Sequence, residues 1–313
     1  MAVPGRLPFI APMLATPARR LPEDPAQWAA EVKWDGARAL AYVADGAVTI
    51  RNRNGSDVTA AFPEIAAALA RAAGRRTLVL DGEVTAFDGE RPSFSRLQRR
   101  LHQARPAATL VASIPVTYVA FDLLRQARRD LLANPYEQRR ALLDALALDR
   151  DSLVVPPAFP GQASEVTEAS RQLGLEGVIL KRLGSHYHPG RRTDAWLKVK
   201  HVITASVLIG GWLPGNGWRA HLAGSILAGD PTPRGLEFLG QVGSGFTEAE
   251  LAALSERLRE LEQPESPFAD PVPQAVARRA HWTRPVLACE VSYSEITPSG
   301  RLRHPIWRGL RPA

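Results

Sequence analysis

Glu31-Val32-Lys33-Trp34-Asp35-Gly36-Ala37-Arg38 carries a short β-strand, Ala30 to Lys33, into a turn built on glycine. Lys33 stands at the junction, so its amine can reach into a pocket instead of lying along a sheet. Arg38 can bring its guanidinium fork to the same place, a shape suited to phosphate or ribose oxygens. The alternative is a surface turn with an incidental lysine, and lysine usage in the whole chain counts against it. Of 39 basic residues only four are lysine, namely Lys33, Lys181, Lys198 and Lys200, and the rest are arginine. Where only positive charge is needed, this chain uses arginine. Lysine differs in that its amine can lose a proton and attack, and in offering a compact charge to a phosphate.

Four further segments carry candidate chemistry. Arg51-Asn52-Arg53-Asn54-Gly55 puts two arginines around a turn at a strand end, which suits phosphate binding. Leu80-Asp81-Gly82-Glu83 and Leu175-Glu176-Gly177-Val178-Ile179-Leu180-Lys181 each read as a carboxylate beside a glycine turn next to a buried strand. Carboxylates near a nucleotide phosphate hold magnesium, a hard cation that prefers oxygen. In Trp196-Leu197-Lys198-Val199-Lys200, strand alternation places both lysines on one face. Two such ammonium groups repel each other, favour an anion between them, and lower the pKa of a neighbouring amine. Singly, each segment also fits a solvated turn or a basic edge strand.

Around these segments the pattern is mixed. Arg38 to Val43 and Ala47 to Arg51 read as a hairpin about Asp45-Gly46. Phe62 to Ala73, Ser93 to Ala104, Tyr136 to Leu148 and Ser164 to Leu173 read as helices. Thr77 to Leu80, Val116 to Phe121, Gly177 to Leu180 and Ala195 to Lys200 read as strands. Past Lys200 short strands alternate with Gly and Pro turns around one amphipathic helix, Thr247 to Glu262. Thr247 is its expected N-cap, with Glu250 completing a capping box. Two or three strands are expected to finish the chain. The expected class is α+β, with a domain over residues 1–200 and a small Greek-key barrel of OB type over 201–313.

At 313 residues, 45% hydrophobic and 23% charged, the chain can bury a core of useful size. No apolar run approaches a membrane span, and the Pro-rich N-terminus does not read as a signal peptide, so the expected location is cytoplasmic. One cysteine, Cys289, excludes an internal disulfide or a cysteine-rich zinc site and reads as a buried thiol. A formal charge of +7 favours polyanions, nucleic acid among them.

Taken in order, the segments resemble the covalent nucleotidyltransferase superfamily of DNA ligases, RNA ligases and messenger-RNA capping enzymes. Lys33-Trp34-Asp35-Gly36-Ala37-Arg38 looks like its motif I, Arg53-Asn54-Gly55 motif Ia and Asp81-Gly82-Glu83 motif III. Val119-Ala120-Phe121-Asp122 looks like motif IIIa, Glu176 to Lys181 motif IV and Lys198-Val199-Lys200 motif V. The likeness is closer to bacterial ATP-dependent DNA ligases of the end-joining (D-type) and short C-type kinds. It rests there on Pro12-Met13-Leu14-Ala15, Phe62-Pro63-Glu64, the segment Tyr187 to Arg192, Ile209-Gly210-Gly211-Trp212 and Gly300 to Pro305.

The resemblance implies a nucleotidyltransferase (ATP-grasp-like adenylation) domain of antiparallel sheets and helices, followed by the OB-fold barrel. It implies that Lys33 attacks the α-phosphate of ATP and carries AMP. Glu31 then borders the adenine, Phe121 stacks on it, and Arg38 and Arg53 engage ribose and phosphate. Glu83 contacts ribose or metal, Glu176 binds metal (Mg2+ or Mn2+), and Lys198 and Lys200 hold the α-phosphate. The implied substrate is nicked double-stranded DNA, in a bacterial nucleoid, with Ku-type or primase-polymerase repair proteins as partners. In two respects the chain departs from the pattern. Arg311 matches the arginine of motif VI but is followed by Pro312-Ala313, without the family's aspartate and lysine, and no helical DNA-binding domain precedes Lys33. An RNA ligase or capping enzyme would share the chemistry. A non-catalytic nucleic-acid-binding protein would share the basic OB domain but has no use for Lys33, Glu83, Glu176, Lys198 and Lys200 together.

Overall fold

The computed structural model describes residues 7–101, 103–217, 220–297 and 299–311. Sequence readings that fall on residues 1–6, on His102 and on the Pro312-Ala313 end lie outside them. The chain divides into two compact units, Met1–His201 and Val202–Ala313.

The first unit holds two mainly antiparallel sheets. In one, the strands run Leu14–Pro17, Arg192–Lys200, Gly177–Arg182, Trp28–Val32 and Phe159–Pro160, the first pair being parallel. In the other, Ala47–Asn52, Ala37–Ala44, Leu78–Asp88, Val116–Gln126 and Arg129–Asp130 lie side by side. Strand alternation gives this second sheet two apolar faces. Ala39, Ala41 and Val43 face one way and join Ile65 and Leu69 of the helix Pro63–Ala73 in a core. Leu40 and Tyr42 face the other way and join Trp196 of the first sheet, with Met13 and Tyr187 from the segments that precede two of its strands. The two sheets are therefore glued by a buried layer of aromatic rings, and the candidate residues sit at its open end. Truncating such a core residue as Ile65 to alanine would cost about 2–5 kcal/mol.

Local signals formed as expected where the partners are near in sequence. The hairpin turns at Asp45 and Gly46, both in the left-handed region (φ 53 and 82). The capping box of Thr247 and Glu250 makes both of its hydrogen bonds at the start of the helix Glu248–Glu260. Two helices are shorter than expected, Phe94–Leu101 and Tyr136–Ala145, and a third, Ala163–Gln172, is shifted one residue earlier.

One reading is corrected. Asp81-Gly82-Glu83 is not a turn; it lies within the strand Leu78–Asp88. Gly82 serves close approach instead, since a Cβ there would fall 2.5 Å from Cζ of Tyr118 on the neighbouring strand. Tyr118 crosses under it to donate its hydroxyl proton to the carbonyls of Ala39 and Leu80.

In the second unit the strand Ile203–Pro214 pairs with Ala223–Thr232 along one edge. Along the other edge it pairs first with Ala288–Tyr293 and then with His281–Thr283. Among the described residues five strands follow residue 273, not two or three, because two two-residue strands, Glu295–Ile296 and Leu302–Arg303, pair with each other beside the longer ones. With its single long helix this is the β-rich, OB-like region expected after the adenylation domain. Cys289 is buried in this core, and burial pushes its thiol up to about 12. Among the described residues no helix is long and apolar enough to cross a membrane.

Candidate active site

Lys33 follows directly on the strand Trp28–Val32, and its backbone N–H donates to the carbonyl of Gly177 on the next strand. The chain then crosses the edge of the second sheet. Gly36 makes that crossing possible: a Cβ there would lie 2.3 Å from the carbonyl oxygen of Val84 and 2.8 Å from Cγ of Glu83. The glycine thus brings the lysine loop down onto the strand that bears Glu83.

A cavity of about 250 Å³ opens between the two sheets. Of the residues singled out in the sequence, Glu31, Lys33, Arg38, Arg53, Glu83, Phe121 and Lys198 line it. Glu176 and Lys200 do not, but they are tied to it through Lys33. The Glu176 carboxylate accepts from Lys33 on Oε2 and from Lys200 on Oε1, the latter at 2.6 Å. Burial works against charge on Glu176, but the two ammonium groups outweigh it and hold the carboxyl below its ordinary value. Burial pulls the Lys198 amine down, and the nearby charges of Arg192, Lys200 and Lys33 pull it further.

Arg38 is held from behind. Its Nε and Nη2 both donate to the Asp81 carboxylate at 2.6 Å, and Asp81 itself is fully buried. Tyr187 completes the clamp, donating its hydroxyl to Asp81 at 2.6 Å. The Arg38 guanidinium lies 4.6 Å from the centre of the Phe121 ring. Burial works against the guanidinium charge, but Asp81 outweighs it and keeps Arg38 protonated. Glu83 differs: burial pushes its carboxyl up to about 7, opposed by Arg38 and Lys33 and aided by Asp81 and Glu176.

Against the same rings as Arg38 lies a residue whose scarcity was noted but to which no role was given. Lys181 is 1% exposed and lines the cavity. It pairs with Glu31 at 2.8 Å and donates to the Phe121 carbonyl at 3.0 Å. Its ammonium lies within 4.6 Å of the ring centres of Phe121 and Trp196. Arg192 and Trp196 also line the cavity and were not anticipated as lining residues. Trp196 was read in the strand that carries Lys198, and Arg192 only at the end of the segment Tyr187 to Arg192.

The cavity combines two chemistries. Its aromatic surface with a paired carboxylate and ammonium suits a planar base. Its lysines, arginines and second carboxylate suit a phosphate chain and transfer to an amine.

The model of the ATP-dependent DNA ligase domain matches residues 12–200, and that of the ATP-dependent DNA ligase C-terminal region matches 219–313. The chain is 46% identical over 304 residues to the multifunctional non-homologous end joining protein LigD of Mycobacterium bovis, covering 97% of this chain and 38% of that protein. It is 38% identical to LigD of Pseudomonas aeruginosa, covering 97% of this chain and 35% of that protein. It therefore spans well under half the length of these relatives. Among solved structures it is similar to the ligase domain of M. tuberculosis LigD, with 45% identity, a TM-score of 0.58 and coverage of 97% of this chain and 95% of that one. A mycobacterial DNA ligase D complexed with ATP and MES matches with the same identity, TM-score and coverage.

Proposed function

The chain belongs to the ATP-dependent DNA ligase family, and from that premise we propose that it seals nicks in duplex DNA through AMP carried on Lys33. The observation that carries this reading is the convergence of Lys33, Lys198, Arg38, Arg53 and Glu83 on one cavity. The Lys33 amine leaves its salt bridge with Glu176, sheds a proton and attacks the α-phosphorus of ATP. A nitrogen–phosphorus bond forms, the bond to the β-phosphate oxygen breaks, and pyrophosphate departs. Lys198 and Lys200 offset charge on the α-phosphate, and Arg38 and Arg53 hold ribose and phosphate oxygens. Phe121 stacks on the adenine, and Glu31 borders it. AMP then passes to the 5′-phosphate of the nick, and the 3′-hydroxyl displaces it as the new phosphodiester forms.

A divalent cation, Mg2+ or Mn2+, fits Glu83 and Glu176. Their donors are hard oxygens near Lys33, and the Glu176 charge helps to raise the Glu83 carboxyl. Among the described residues no cluster of three or more His, Cys, Asp or Glu is placed to hold a metal, so the rest of the ion's shell would have to come from phosphate and water. When bound, such an ion neutralises phosphoryl charge.

The likeness to LigD supports double-strand-break repair in a bacterial nucleoid as the setting, with Ku-type or primase-polymerase proteins as partners. The residue boundaries 1–200 for adenylation and 201–313 for the OB-fold domain are part of the same proposal. Sealing assays with ATP on matched nicked DNA and nicked RNA duplexes test it. Sealing of DNA is expected; sealing of RNA alone would favour the RNA-ligase reading.

A further inference from the structure

Glu31 lines the cavity beside Lys181, which packs on the Phe121 and Trp196 rings, and two groups converge on the same one of its oxygens. Tyr136 donates its hydroxyl proton to Oε1. The Lys181 ammonium meets Oε1 at 2.8 Å. Among the described residues, none donates a hydrogen bond to Oε2. Tyr136 itself is immobilised: it is 1% exposed, opens the helix Tyr136–Ala145, and donates its backbone N–H to the Ser185 carbonyl at 2.8 Å. Lys181 is less directional. An ammonium is a point charge with rotatable donors, and this one also serves the Phe121 carbonyl.

We propose that Tyr136 is a positioning residue that selects a 6-amino purine over a 6-oxo purine, by fixing the Glu31 carboxylate with one oxygen occupied and the other presented to the base. This rests on the reading above that Glu31 borders the base. An ionised carboxylate only accepts hydrogen bonds. The 6-amino group of adenine donates to it. The 6-oxo group of guanine sets a second acceptor against it, leaving a buried charge without a donor, and sites built for a donor reject such an analogue strongly. Lys181 alone would leave the carboxylate free to rotate, so that a water or the ammonium could turn toward a 6-oxo group. The Tyr136 hydroxyl removes that freedom, and burial together with the Glu31 charge keeps it protonated.

Tyr136→Phe removes the hydroxyl and keeps the ring. Formation of the covalent nucleotidyl-protein is followed with labelled ATP and, separately, labelled GTP, on the full chain, with thermal unfolding as the check on folding. The expected result is a KM for ATP about tenfold higher with kcat nearly unchanged, and an ATP-over-GTP preference about tenfold lower, the scale of one lost hydrogen bond to a charged group. A folded Tyr136→Phe protein with unchanged KM and unchanged preference would overturn the proposal, as would a fall in kcat alone. Glu31→Gln runs in parallel. If it lowers the preference and Tyr136→Phe does not, the role of the hydroxyl is wrong. If neither variant changes it, the placement of the base against Glu31 is wrong as well.

Discussion

Replacing Asp81 with asparagine should weaken both the fold and the first chemical step, because Asp81 supports Arg38 from a fully buried position. The carboxylate accepts three hydrogen bonds, two from Arg38 at 2.6 Å and one from Tyr187 at 2.6 Å. Asparagine keeps the shape, retains one acceptor oxygen and turns an N–H₂ toward one of the donors. Removing one partner of a buried ion pair costs about 3–5 kcal/mol, because the other charge stays desolvated and unpaired. Arg38 retains some solvent contact, with 21% of its side chain exposed, so the lower part of that range applies, about 3 kcal/mol. Urea unfolding followed by tryptophan fluorescence reads the loss, since Trp196 packs in the same aromatic layer. The first step, followed as label transfer from ATP, should slow by more than tenfold as Arg38 leaves the Phe121 face. The double variant Asp81→Asn with Arg38→Met should recover part of the stability but none of the activity. An Asp81→Asn protein within about 0.5 kcal/mol of the parent and fully active would refute the reasoning, since surface changes stay within that range.

Other expectations follow from the same site. Glu83 has a folded pKa of about 7 against an ordinary 4.5, so the folded state binds its proton more tightly. Its contribution is complete below pH 4.5 and is lost as pH rises to 7, by about 3 kcal/mol in all. Comparing unfolding of the parent and Glu83→Gln at about pH 5 and about pH 8 checks this: the variant should lack that part of the slope. Label transfer from ATP should rise through the same interval as the carboxylate becomes free to bind a cation, and a flat profile in the parent would count against the metal role. Nick binding should depend steeply on salt, with a log–log slope of about −5 if some six phosphates are neutralised. Arg301→Ala together with Arg303→Ala should reduce that slope, and an unchanged slope would remove the second unit's arginines from the DNA-binding surface.

The sequence was most legible where a signal and its partner lie close together. The Asp45-Gly46 turn, the Thr247 capping box and the strand leading to Lys33 are local, and each formed. Rarity of lysine was informative too: Lys33, Lys181 and Lys198 line the cavity, and Lys200 reaches it through Glu176. What stayed hidden depends on distant pairing. Gly82 looked like a turn because its reason, the ring of Tyr118, comes from another strand. Tyr136 and Tyr187 contact Glu31 and Asp81 across more than a hundred residues, and nothing local marks them. No local pattern singles out Arg100 and Arg139, yet both are fully buried against Glu64 and Asp122, because the fold supplies counter-charges no nearby segment announces.

The most direct measurement is transfer of label from α-labelled ATP to the purified chain, made on the parent and on Lys33→Ala and paired with sealing of a nick that already carries AMP on its 5′-phosphate. The parent should take the label on Lys33. Lys33→Ala should take none and fail on an ordinary nick, yet still seal the pre-adenylated one without ATP, because Arg38, Glu83, Lys198 and Lys200 remain to position that phosphate. Near-normal labelling of Lys33→Ala would contradict the assignment of Lys33 as the carrier of AMP.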